Sequence, residues 1–127
     1  MNNLIQQLSE TIRDAARHKR TLCIRGGGTK DFYGGAQRGE TLSTAAYRGV
    51  VEYEPTELVL TARAGTPLAE IESILREKGQ MLAFEPPYFG ALPSPLSPLP
   101  LAGERRVAPM GTATLGGCVA AGLSGPR

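Results

Sequence analysis

Tryptophan is absent from this sequence, histidine occurs once and cysteine twice, and aromatics make up only 6% of the residues. Each scarcity removes a class of function. Cys23 and Cys118 lie far apart, outside any C-x-x-C or zinc-ligand spacing, so neither a disulfide framework nor a metal site is expected. Both read as small buried residues. A net charge of +2, with basic and acidic residues interspersed and few aromatics, lacks the basic stripe of a nucleic-acid binder. No apolar run approaches the roughly 20 residues of a membrane span. Met1-Asn2-Asn3-Leu4 carries neither the basic nor the apolar region of a signal peptide, so a cytoplasmic location is expected.

What is abundant is glycine, 16 of 127 residues, and it is concentrated where strands should end. The length suits one domain with a modest core. Leu4, Ile5, Leu8, Ile12, Ala15 and Ala16 recur at helical spacing, which predicts an amphipathic helix ending near His18-Lys19-Arg20. Thr21 to Arg25 reads as a short buried strand feeding a first glycine loop, Gly26-Gly27-Gly28-Thr29-Lys30. Val50 to Tyr53 and Leu58 to Arg63 read as strands on either side of a turn, Glu54-Pro55-Thr56-Glu57. Thr66 is the expected N-cap and Pro67 the first residue of a second helix with Leu68, Ile71, Ile74 and Leu75 inward and Gly79 as its stop. Met81 to Phe84 is a further strand, closed by Pro86-Pro87.

Five of the ten prolines fall at 93, 95, 98, 100 and 109, so residues 91–109 read as an exposed, proline-rich insert. Order resumes at Thr114-Leu115-Gly116-Gly117-Cys118, a second glycine loop in which Thr114 caps a helix starting after Gly117. The chain then stops at Gly125-Pro126-Arg127 with the look of a sequence cut short.

Loops of this make let backbone N–H groups approach an anion, and two of them suggest a diphosphate. Neither is a standard fingerprint. Asp31 follows Lys30 where a Walker loop needs Ser or Thr, and stands where a dinucleotide-binding fingerprint needs its third glycine. Gly111 and Gly116 have Walker spacing, but Gly117 replaces the lysine. Arg25 and Lys30 supply cations and Thr29 a hydroxyl around the first loop, the ingredients of a phosphate site. Amides from both segments are expected to converge on one diphosphate.

Arg25-Gly-Gly-Gly-Thr-Lys30, Gly49 to Leu68, Gly79 to Pro87 and Thr114 to Arg127, in that order, resemble a known family. It is the FAD-binding domain of the vanillyl-alcohol oxidase and p-cresol methylhydroxylase type, and within it the FAD-binding subunits of bacterial glycolate oxidases. The resemblance implies an α+β fold, the N-terminal part of such a domain spanning residues 1–127, with short sheets packed with helices. It implies FAD as cofactor, with the pyrophosphate on Arg25, Gly26, Gly27, Gly28, Thr29 and Lys30. Thr114, Leu115, Gly116, Gly117, Ala120 and Gly122 would close from the other side, and Pro86 would lie near the flavin. His18, the lone histidine, sits among basic residues on the first helix, so the flavin would be held non-covalently. No catalytic residue is assigned, because no histidine–arginine constellation for hydroxy-acid oxidation is present.

The resemblance further implies partners, a second flavoprotein subunit and an iron–sulfur subunit, in a complex oxidising glycolate to glyoxylate. That complex could bring the chain to the periphery of the inner membrane. Two departures from the family set an alternative beside this: the proline-rich insert and the early end are what a truncated remnant, unable to retain FAD alone, would carry.

Overall fold

The computed structural model describes residues 1–31, 35–85, 112–122 and 125–126. Helix α1 (Asn2–Arg17) opens the chain. Strand β1 (Leu22–Arg25) pairs in parallel with β2 (Glu40–Ser43), and β3 (Val50–Glu54) pairs antiparallel with β4 (Val59–Ala62). Helix α2 (Leu68–Glu77), strand β5 (Phe84–Glu85), helix α3 (Leu115–Ala121) and strand β6 (Gly125–Pro126) complete the order. β5 and β6 form a third two-stranded ladder. The architecture is α+β, short sheets with helices, as the sequence predicts. Pro86 and the proline-rich stretch 91–109 lie outside the described residues.

The core is small and sits where distant segments cross. Leu68, Ile71 and Leu75 point inward from α2, and Ala113 and Cys118 meet Leu68, with Phe84 and Leu115 packed against them. The crossing is stitched by backbone. Leu68 N–H donates to the Ala113 carbonyl at 2.9 Å, and Leu115 N–H to the Thr66 carbonyl at 2.9 Å. Gly116 N–H donates to the Ala64 carbonyl at 2.8 Å. A Cβ on Gly116 would stand 2.8 Å from that of Ala64, so only glycine lets the two chains approach this closely.

Five expectations are corrected. The first strand is not buried: Ile24 is 74% exposed and Arg25 is exposed, because β1 has a neighbour only in β2 among the described residues. β2 was not expected; only Leu42 of its four residues is buried, so no period of two announces it. Its parallel pairing requires a long return, which the chain between Arg25 and Glu40 supplies. The second glycine segment is the first turn of α3, which begins at Leu115 and contains Gly116 and Gly117. Thr114 does cap it, accepting from Gly117 N–H at 3.3 Å. Cys118 is buried as expected, whereas Cys23 is only half-buried.

Thr66 is the fifth. It does not cap α2, whose N-cap is Pro67. Its fully buried hydroxyl donates to the Arg63 carbonyl at 2.6 Å and accepts from Gly49 N–H at 2.9 Å. It therefore ties the start of the β3–β4 hairpin to the entry of α2. Thr66→Val keeps the shape and removes the hydroxyl, leaving the Gly49 N–H without its acceptor. The variant should lose about 1–3 kcal/mol of stability in urea unfolding.

Candidate functional site

Strand β1 delivers the chain to the site. The Arg25 carbonyl accepts from Thr44 N–H at 2.9 Å, the last rung of the β1–β2 ladder, and the chain then leaves the sheet as residues 26–31. This loop lies against the strand-like segment leading into α3. A Cβ on Gly26 would be 2.7 Å from the Thr114 hydroxyl, and one on Gly27 would collide with the Thr112 carbonyl. Gly27 is thus a backbone-to-backbone contact, and a side chain there disturbs folding before it touches any ligand. Between loop and helix lies a cavity of about 330 Å³.

Of the residues singled out from sequence, Arg25, Gly26, Gly27, Gly28, Thr29, Lys30, Thr114, Gly117 and Ala120 line this cavity. The two glycine segments, far apart in sequence, therefore share one groove. Leu115 and Gly116 do not line it: Leu115 packs on the core and Gly116 faces Ala64. Gly122 is the left-handed C-cap of α3, with φ +63°, and also lies off the cavity lining.

The donors divide unequally. At α3 the early amides are engaged: Leu115 with Thr66, Gly116 with Ala64, Gly117 with Thr114. Of the second-segment amides expected to face a diphosphate, those of Leu115 and Gly116 are taken by distant carbonyls and that of Gly117 by its own helix cap. The first loop differs. Among the described residues, no protein acceptor meets the N–H groups of Gly26, Gly27, Gly28 or Thr29. Thr29 is 5% exposed, and its hydroxyl also has no partner among the described residues. A buried donor without an acceptor, as at Thr29, costs on the order of 1–3 kcal/mol, a cost that an entering anion oxygen offsets.

Charge at the loop is arranged, not merely present. The Arg25 guanidinium holds the Asp31 carboxylate with two nitrogens, Nε at 3.0 Å and Nη2 at 2.5 Å from Oδ2. Gln37 Nε2 donates to the same carboxylate at 3.1 Å. Hydrogen bonds from Arg25 and then Gln37 hold Asp31 below the usual carboxylate range, and Asp31 raises Arg25 in turn. Lys30 also lines the cavity; its Nζ lies 3.9 Å from the position a Gly117 Cβ would take.

Sequence reasoning missed Asp31 and Gln37 as parts of the site, together with Cys23, Ile24 and Ala121 in the cavity lining. Asp31 had a signal: it is the residue that disqualified the standard fingerprints. Gln37 had none. His18 stands at the C-cap of α1, its Nδ1 3.1 Å from Asp14, and does not line the cavity.

Donors and a cation lining one groove suit an anion. The family described as FAD binding domain matches residues 4–91, and the chain belongs to it. FAD is the cofactor of that family. The chain is also 43% identical over 122 residues to the glycolate oxidase subunit GlcE of Escherichia coli (strain K12). That alignment covers 96% of this chain and 29% of the relative, so the chain spans less than a third of that protein. No solved structure matches.

Two outcomes follow from the site's geometry. Gly27→Ala drives a methyl into the Thr112 carbonyl and should lower stability by about 1–3 kcal/mol in denaturant melts. Carboxyl NMR should find Asp31 titrating below the 3.8 of an ordinary aspartate, returning toward it in Arg25→Gln. Because the folded-state value is depressed, the pair's stabilising contribution is present above the unfolded value and disappears as pH falls through the folded one.

Proposed function

We propose that the cavity between residues 26–30 and α3 holds the diphosphate of FAD, non-covalently. The observation that carries this reading is a set of donors on one side of a shared groove that meet no acceptor among the described residues: the amides of Gly26 to Thr29 and the buried Thr29 hydroxyl. Lys30 adds a cation to the same lining, and Gly117 and Ala120 keep the opposite wall low enough for close approach. Thr114 supports the loop from behind through its contact with Gly26. When bound, FAD would supply two-electron redox chemistry, and this part of the chain would bind and orient it.

The 43% identity to a glycolate oxidase subunit supports a narrower reading. The chain would be part of the FAD-binding subunit of a complex oxidising glycolate to glyoxylate. A second flavoprotein subunit and an iron–sulfur subunit would be its partners. No helix among the described residues is long and apolar enough to cross a membrane. Attachment to the inner membrane, in this reading, would come through the complex.

One observation favours the other reading, in which this chain alone does not retain FAD. The cavity is bounded by apolar residues that remain open: Ile24 in its lining is 74% exposed, and neighbouring Val119 on α3 is 68% exposed. Mixing the chain with FAD, desalting, and measuring flavin absorbance and fluorescence quenching separates the two. Retained, quenched flavin supports the site, and Thr29→Val should then weaken binding about tenfold or more through the lost hydroxyl. Retention only in a chain extended to the length of its relative selects the second reading.

A further inference from the structure

We infer that Arg25 is not a ligand of the anion but half of a clip with Asp31, and that this pair presets the donor loop. The inference rests on the proposed FAD site and assigns positioning roles within it. Arg25 is the last residue of β1 and Asp31 closes the loop, so their side chains join the two ends of residues 26–30. The guanidinium lies across the α-carbon of Gly28, filling the space a side chain there would occupy, and Gly28 has φ +75°. Asp31 N–H reaches back to the Gly28 carbonyl at 3.4 Å, making the turn inside the clip. Gln37, from beyond the loop, donates both to the Asp31 carboxylate at 3.1 Å and to its carbonyl at 3.3 Å.

Two facts separate a clip from a phosphate ligand. Arg25 already spends Nε and Nη2 on a carboxylate, the planar two-toothed arrangement it would otherwise offer to a phosphate. An aspartate at the cavity also opposes an anion unless its charge is matched, which Arg25 does. Within the pair the two charges then cancel. The physical benefit is preorganisation. Three consecutive glycines lose more conformational freedom on ordering than any other residues, and whatever orders them beforehand removes that cost from ligand binding. Isolated half-exposed ion pairs contribute little, but here the geometry is two-toothed and buttressed by Gln37.

The test is a double-substitution cycle in the full chain with Arg25→Gln, Asp31→Asn and both together. The first readout needs no ligand: ¹⁵N relaxation of the amides of Gly26 to Lys30. A clip predicts higher loop mobility in either single variant, no further rise in the double, and no rescue by Arg25→Lys, which keeps the charge without the fork. The second readout is FAD affinity across a salt series. Each single variant should weaken FAD by about threefold to tenfold, with the double no weaker. The salt dependence should stay at the wild-type slope, whereas Lys30→Ala should flatten it.

An Asp31→Asn variant that binds FAD more tightly while Arg25→Gln binds less, with a shallower salt slope, makes Arg25 a direct ligand and overturns the clip. Unchanged loop relaxation in all variants overturns it too. Wild-type chain that fails to bind FAD defeats the proposed site, while the relaxation data still decide the clip.

Discussion

The structure depends on one backbone crossing. Where the entry of α2 meets the segment leading into α3, Leu68 and Leu115 exchange hydrogen bonds with Ala113 and Thr66 across an isolated antiparallel bridge of Pro67 and Thr114. Around it lie the most deeply buried side chains, Thr66, Leu68 and Ile71. A chain with so small an apolar core cannot rely on burial alone to bring residue 66 to residue 114. Polar backbone pairs in a shielded place do it, since leaving those groups unpaired there would cost more than any single apolar contact returns.

The site inherits its shape from that crossing. Fixing Thr112 to Thr114 fixes the floor on which Gly26 and Gly27 rest, because neither glycine has a Cβ to hold the two chains apart. The first α3 amides are taken by the joint and by the Thr114 cap, so among the described residues the donors without a protein acceptor belong to the β1 loop. One glycine segment builds the joint and the other keeps its amides clear of protein acceptors among the described residues, although both are rich in glycine. The division answers an old ambiguity of glycine-rich sequence: the residue marks close approach, and close approach serves a neighbouring chain as well as a phosphate.

Much was legible beforehand. The period of apolar residues placed α1 and α2, and the Glu54 to Glu57 turn placed the β3–β4 hairpin, because these depend on contacts close in sequence. The strings around Gly26 and Gly117 pointed to an FAD-binding family, which the match over residues 4–91 bears out. Illegible were β2, whose single inward residue carries no pattern, and Thr66, whose capping signature was real but whose hydroxyl found Arg63 and Gly49 instead. Arg25 looked like a free cation because charge in a sequence has no partner until the chain folds.

The sequence by itself determined helices α1 and α2, the β3–β4 hairpin, the family, and the presence of small residues and donors at two separated places. Tertiary structure alone decided which amides stay available, which arginine is held by which carboxylate, and that Thr29 is sealed from solvent with no partner for its hydroxyl among the described residues. The reason is range. Local propensity and period act over a few residues, whereas hydrogen-bond satisfaction is settled among groups that meet only after residues 26, 66 and 114 have been brought together.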